Sequence, residues 1–260
     1  MDISKKACKL LVGGEWIEDS TTLEVIDKYT GEVIGTVPAA SRETVEKAIA
    51  AAYAAFPAYS RTPAHVRSRI LERAAQLLEK NTEEIATLIC REAGKAWKYS
   101  VGEVLRGVET FRFWAEEAKR IHGETVPMDA SAAGEGRIGF YLRCPVGVVG
   151  AITPFNFPLN LVSHKVGPGL AAGNTIVLKP ASTTPLTAIR LGEILQEAGL
   201  PPGVFNVVVG SGGTVGDWLV GDPRVAKVSF TGSPPVGEAI IRRADLKKVT
   251  ILDDHTLPRA

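Results

Sequence analysis

Two prolines inside the most apolar part of the chain constrain its fold more than any other feature. Thr153-Pro-Phe-Asn-Phe-Pro158 follows a β-branched run from Val146 to Ile152. That run suits a buried strand and is too short to span a membrane. Pro154 and Pro158 forbid an ordinary helix or a central strand between them, so the backbone there must be fixed and non-repetitive. Leu159 to Gly173 then reads as an apolar helix closed by Gly173-Asn174, and Thr175 to Lys179 as a second strand ending in Lys-Pro. Strand, rigid loop, helix and strand form a βαβ unit, whose parallel strands place the loop and Lys179 at one C-terminal edge. Open α/β sheets bind their ligands at that edge.

Upstream, Leu10 to Ile17 and Leu23 to Val37 alternate and carry the turn signals Gly13-Gly14 and Thr30-Gly31, which predicts short strands or hairpins. Ser41 can cap a helix whose apolar positions are Val45, Ala48, Ile49, Ala52 and Phe56. Pro57 and Pro63 bracket an expected linker. A second helix is expected over Val66 to Glu79. A third runs from Asn81-Thr82 to Ala93-Gly94, with acids in its first turn. Ser100 to His122 predicts a fourth, with Val104, Leu105, Val108, Phe111 and Trp114 facing inward. Thr125 to Met128 and Ile138 to Arg143 read as the strands of a projecting β-hairpin around the small-residue tract Ala130 to Gly136. A two-stranded hairpin is marginal alone, so this one reads either as an oligomer contact or as a packed surface flap.

Downstream the α/β rhythm continues. Thr184-Pro185 opens a helix that stops at Gly199-Leu-Pro-Pro-Gly203. Val204 to Val209 reads as a strand, Gly210 to Gly213 as a turn and Thr214 to Val220 as a short helix. Val225 to Phe230 is a further strand, and Pro234 to Arg243 a further helix. The expected fold class is α/β. Its core is an open, parallel, Rossmann-like sheet with flanking helices, preceded by an N-terminal helical and β segment and interrupted by the protruding hairpin.

Bulk properties exclude several classes of partner. The chain has 260 residues with formal net charge +1, so nothing in the balance asks for nucleic acid or an anionic membrane. The basic start MDISKKACKLLVGGEW has too short an apolar piece for a signal peptide or anchor. Cys8, Cys90 and Cys144 are far apart and form no CxxC pair, which points to a reducing cytoplasm.

Three features can carry chemistry. Phe230-Thr-Gly-Ser-Pro-Pro-Val-Gly237 runs a strand into a helix start, which offers N–H groups and a positive dipole end to a phosphate. Gly232 allows close backbone approach. Gly210-Ser-Gly-Gly213 reads either as an ordinary tight turn or as a second close approach. Lys179 can donate to ribose hydroxyls or phosphate. Together at one edge they suggest a nucleotide site. The G-x-G-x-x-G fingerprint does not stand in its usual place, so a dinucleotide would be held differently.

The stretches Ile152-Thr-Pro-Phe-Asn-Phe-Pro158, Gly169-Leu-Ala-Ala-Gly-Asn174, Leu178-Lys-Pro-Ala181, Gly199-Leu-Pro-Pro-Gly-Val-Phe-Asn-Val207 and Ser229-Phe-Thr-Gly-Ser233 resemble the aldehyde dehydrogenase superfamily in content, order and spacing. The similarity runs from about Leu10 to Thr250 and covers the N-terminal half of that family's usual length. It implies an NAD(P)-binding domain over 1–123 and 146–250, with an oligomerisation-type hairpin at 124–145.

The resemblance also implies site roles. Asn156 would give a side-chain N–H to the oxyanion formed from an aldehyde; read from its own loop, it could equally bond its own backbone. Ile152, Thr153, Pro154 and Phe155 would line the nicotinamide side. Lys179 would bind the adenosine ribose, with Ala181 and Ser182 beside it, and Gly212 would approach the adenosine end. Thr231, Gly232 and Ser233 would meet the pyrophosphate, while Phe230 and Val236 give apolar contacts. Many NAD-preferring members carry a glutamate where this chain has Ser182, which cannot repel a 2′-phosphate. NADP is therefore expected to be accepted alongside NAD, with preference for it an open alternative. No metal is expected.

Residues 251–260 depart from the family pattern. Leu252 stands where the general-base glutamate is expected, the nucleophilic cysteine has no counterpart, and Asp253, Asp254 and Cys144 do not replace them. The expectation is a cofactor-binding portion that does not oxidise aldehydes alone. Three readings stay open: a truncated enzyme, a half-enzyme completed by a separate catalytic chain, and a non-enzymatic nucleotide-binding module. A homo-oligomer is expected in each, because a cofactor domain without its neighbour exposes apolar surface.

Overall fold

The computed structural model describes residues 6–244 and 248–253. The tail from 254, Asp254 included, lies outside the described residues. Five short strands open the chain: β1 (Lys6–Ala7), β2 (Leu10–Val12), β3 (Glu15–Ile17), β4 (Thr21–Ile26) and β5 (Val33–Ala39). Four helices follow: α1 (Arg42–Tyr59), α2 (Ala64–Lys80), α3 (Thr82–Ala93) and α4 (Trp97–Glu117). The hairpin is β6 (Glu124–Val126) with β7 (Gly139–Tyr141). The alternating part comprises β8 (Val148–Ile152), α5 (Asn160–Ala171), β9 (Thr175–Lys179), α6 (Leu186–Glu197), β10 (Phe205–Val207), α7 (Asp217–Gly221), β11 (Val225–Gly232), α8 (Pro234–Arg243) and β12 (Lys248–Asp253).

The main sheet has the order β12-β11-β8-β9-β10-β2-β3. Its first five strands are parallel, as expected. The remaining two are not: β2 runs antiparallel to β10, and β3 antiparallel to β2. The sheet is therefore mixed, because the Gly13-Gly14 hairpin, with φ of 65° and 95°, lays its strands along the free edge of β10. A smaller sheet, β1-β5-β4, stands apart from it. Strands β8 and β9 are buried along their whole length, which is why they read as unbroken apolar runs rather than as alternation.

Helices α5 and α6 pack with α2, α3 and α4, while α1, α7 and α8 gather elsewhere, with α1 against β8, β9 and β10. From β8 the chain steps through β9 to β10, then returns to the other side of β8 to place β11 and β12. That reversal is a topological switch point between the C-terminal ends of β8 and β11, the place at which open α/β sheets form a ligand-binding crevice.

Several helix expectations change. Helix α4 spans Trp97–Glu117 rather than Ser100 to His122, and the expected helix from Thr214 to Val220 divides into one turn of π-helix, Gly212–Gly216, and α7. Helix α1 runs through Pro57 to Tyr59 instead of stopping before a linker. A proline there interrupts only the last turn, and Tyr59 is buried, with its hydroxyl donating to the Leu170 carbonyl at 3.2 Å. On α4, Leu105 faces outward, and Ser100 and Glu103 join the buried stripe. The hairpin pairs Thr125 with Phe140 and leaves Ile138, Phe140 and Leu142 largely exposed.

Candidate functional site at the strand crossover

Register brings three of the expected site residues into one row. Lys179 of β9 pairs with Ile152 of β8, and Ile152 pairs with Phe230 of β11. Each strand then turns out of the sheet, so the proline loop, the Lys179 segment and the Gly232-Ser233 corner all leave from one edge. Thr153 stays tied to that edge, its N–H donating to the Lys179 carbonyl at 3.2 Å. Its hydroxyl oxygen is buried and has no hydrogen-bond partner among the described residues.

The loop carrying Asn156 is held from behind by α4. Glu103 is buried, and its Oε1 accepts from the N–H of Leu159 at 2.9 Å and of Asn160 at 3.1 Å. It thereby occupies the start of α5, where backbone donors lack helical partners and a negative charge is favoured. The Lys95 ammonium pairs with the other oxygen, and the same nitrogen lies 3.7 Å from the centre of the Phe157 ring. Pro154, half-buried, and Phe155, exposed, form the outer wall of the loop.

Lys179 is buried, and its ammonium donates to the Pro180 carbonyl at 3.1 Å. Burial pushes its pKa down to about 8. Ala181 and Ser182 follow, both half-buried. The Ser182 hydroxyl donates to the Gly210 carbonyl at 2.6 Å, which joins this segment to the glycine turn. Gly212 opens one turn of π-helix, Gly212–Gly216, and nothing lies within 4 Å of where its side chain would be. A flat group can therefore approach its backbone.

Across the crevice, Phe230 and Thr231 are buried and Val236 is exposed. A side-chain carbon on Gly232 would lie 2.5 Å from Cζ of Phe230, so a larger residue at this corner would have to displace that ring. Ser233 precedes α8 with extended backbone and makes no side-chain cap. Pro234 and Pro235 carry no N–H, so this helix start offers fewer donors than most. Its dipole and the Ser233 and Val236 N–H groups remain.

Lys165 and the Glu103–Lys95 pair were not legible as site residues. Lys165 is buried on α5, and its ammonium donates to the Thr231 hydroxyl at 2.7 Å and the Ser229 hydroxyl at 3.3 Å, stapling α5 to β11. Burial pushes its pKa down to about 8. A lysine within an apolar helix, and a glutamate on a buried stripe, were the available signals. None of the cysteines lies at the crevice. Cys144 precedes β8 whereas Asn156 follows it, so a strand of five residues, about 16 Å, separates their edges. Cys90 Sγ lies 3.3 Å from Ser100 Oγ, and the Cys8 N–H donates to Thr36 in the smaller sheet. No cluster of metal-ligating side chains occurs among the described residues.

Comparison with known proteins supports the fold. A family model described as "Aldehyde dehydrogenase family" matches residues 16–252. A 3-sulfolactaldehyde dehydrogenase of Priestia aryabhattai is 46% identical over 242 residues, covering 93% of this chain and 50% of that protein. The crystal structure of NADP-dependent glyceraldehyde-3-phosphate dehydrogenase from Bacillus halodurans, complexed with NADP, superposes with a TM-score of 0.92 at 38% identity, covering 95% of this chain and 52% of that one. Aldehyde dehydrogenase 21 from Physcomitrella patens, in complex with the reaction product succinate, superposes with a TM-score of 0.92 at 40% identity, covering 96% and 52%. The chain spans about half the length of the relatives it matches.

Proposed function

The chain belongs to the aldehyde dehydrogenase family, and from that premise we propose that it holds a nicotinamide dinucleotide along the β8–β11 crevice and presents Asn156 to an aldehyde. The observation that carries this reading is the shared edge onto which Thr153, Lys179 and Gly232 converge. The residues fit such a group. Thr153 has an unfilled hydroxyl, Gly232 puts no side chain at the corner beside the Phe230 ring, and Lys179 supplies a buried donor. Bound there, the dinucleotide would supply the hydride acceptor that aldehyde oxidation needs.

This chain's own part is binding and polarisation. Asn156, on a loop stiffened by two prolines and clamped at Glu103, would donate its amide N–H to the oxygen on which charge develops. Lys179 and the Gly232-Ser233 corner would hold the ribose and pyrophosphate. Ser182 carries no charge against a 2′-phosphate, so NADP is accepted with NAD, and the Bacillus halodurans relative is a protein complexed with NADP. The thiolate and general base of aldehyde oxidation have no counterpart at this crevice among the described residues, so we assign no turnover to this chain alone. A covering catalytic part, on the same or another polypeptide, would supply them.

The exposed hairpin edge favours self-association through Ile138 and Phe140. No helix among the described residues is long and apolar enough to cross a membrane. Cys8, Cys90 and Cys144 are joined by no disulfide among the described residues, which fits a reducing cytoplasm. Calorimetric titration of the chain with NADP+ and NAD+ tests the reading. Saturable binding weakened by Lys179→Ala is the expected result, and no binding at millimolar cofactor overturns it.

A further inference from the structure

We propose that a pocket between α1 and the ends of α7 and α8 binds a small aromatic carboxylate, away from the dinucleotide crevice. The pocket has a volume of about 210 Å³, room for about seven waters or one substituted ring. Val45 and Ile49 of α1 and Trp218 of α7 line it with carbon, while Arg42 of α1 and Arg243 of α8 bring charge. Pro223, also in its lining, stands two residues before β11 begins. Gly232 closes that same strand of eight residues, so about 25 Å separates the pocket from the Gly232 corner. The site neither belongs to the crevice nor depends on what the crevice holds.

The acids of the pocket are answered, and two of its cations are not. Asp222 accepts from Arg224 at 2.7 and 3.0 Å, and the same guanidinium lies 3.9 Å from Glu46. Arg42 and Arg243 make no ion pair and no side-chain hydrogen bond among the described residues. Three guanidiniums therefore face two carboxylates. The place of Arg243 is defined by a glycine. A side-chain carbon on Gly221 would lie 3.0 Å from its Nη2 and 3.1 Å from its Nε, so the bare end of α7 leaves the guanidinium room. Such a planar fork of donors matches the two oxygens of a carboxylate.

Trp218 adds an independent sign. It is half-buried against the core, and its indole N–H has no acceptor among the described residues. Partly buried indoles ordinarily find a partner for that N–H. Ring surface, unused N–H and unanswered arginines together suit a ligand that is flat and apolar at one end and anionic at the other. An inorganic anion would leave the indole and the Val45–Ile49 carbon uncovered. A neutral ring would leave both arginines without a counter-charge.

The test uses the full chain with three probes: benzoate, its uncharged isostere benzamide, and inorganic phosphate. NMR follows the Trp218 indole N–H resonance, assigned by its loss in Trp218→Phe, during titration with each. The expected result is a saturable shift with benzoate, about tenfold tighter or more than with either other probe, and undiminished by saturating NADP+. Arg42→Gln and Arg243→Gln should each weaken benzoate about tenfold. Both arginines are exposed, so the variants should keep the parent's unfolding temperature, and the comparison of probes needs no variant. No saturable shift with benzoate, equal affinity for benzamide or phosphate, displacement of benzoate by NADP+, or full affinity in both folded variants overturns the proposal.

Discussion

The Glu103 carboxylate accepts from the backbone N–H of Leu159 at 2.9 Å, across 56 residues of sequence. This one contact converts a glutamate on an upstream helix into the anchor of the loop that carries Asn156. It joins three other contacts, to the Asn160 N–H, to Lys95 and, through Lys95, to the Phe157 ring. Removing the carboxylate would strand two buried donors and a partly buried ammonium. Glu103→Ala is expected to cost about 3–5 kcal/mol, and Glu103→Gln less, since an amide oxygen can still accept. Urea denaturation of the two variants checks the order; equal stabilities would show that the clamp is not in force.

Cofactor affinity should depend on pH through Lys179. Its pKa of about 8 in the free protein means that the ammonium is the majority form below that value and the amine above it. If the charged form binds the cofactor, affinity for NADP+ is flat below about pH 7 and declines above about pH 8. Lys179→Ala should weaken binding about tenfold, or about 1.4 kcal/mol, and erase the alkaline decline. Calorimetry across the range from pH 6 to 9.5 reads both effects.

Discrimination between the two dinucleotides should be governed by position 182. The Ser182 hydroxyl is turned to the Gly210 carbonyl at 2.6 Å and brings no charge. Ser182→Glu would set a carboxylate against the 2′-phosphate of NADP while offering an acceptor to the 2′-hydroxyl of NAD. The expected change is a fall of at least tenfold in the NADP-to-NAD affinity ratio. An unchanged ratio would mean that the adenosine ribose lies elsewhere.

Global stability should carry a pH signature from Glu92. This carboxyl is buried at the start of α6, accepting from the N–H of Leu186 at 2.8 Å and of Thr187 at 3.0 Å. Burial outweighs those donors and pushes its pKa up from 4.5 to about 7. A raised folded-state pKa means that the native chain holds a proton the unfolded chain has released. The contribution is fully present below about pH 4.5 and lost as pH rises through about 7, to the extent of about 1–3 kcal/mol. Glu92→Gln should flatten that slope, as measured from denaturant midpoints at intervals between pH 4.5 and 8.

The parts of the site that were legible in advance are those whose cause is local. Pro154 and Pro158 dictate a loop whatever surrounds them, and Thr175–Lys179 and Pro234–Arg243 have the residue bounds expected from their patterns. The N-terminal hairpin was legible as a hairpin but not as a sheet edge, since alternation within β2 and β3 says nothing about which strand they will meet. Pro57 misled because a proline signals interruption by its own chemistry, whereas its tolerance in the last turn of α1 depends on the burial of Tyr59. Glu103 and Lys165 were missed for a related reason. A charged residue in an apolar stripe is legible as an anomaly, but its partners come from distant segments.

The sequence by itself determined the element types, the rigid loop, the glycine corner and the family resemblance, because backbone restriction and side-chain period act over a few neighbouring residues. Only the tertiary structure decided that Lys179, Ile152 and Phe230 share one row, that Glu103 secures the start of α5, and that Arg106 faces His164 across one groove. Those facts depend on strand order, register and helix packing. They are set by the burial of the whole apolar surface at once, and no local window of residues contains that information.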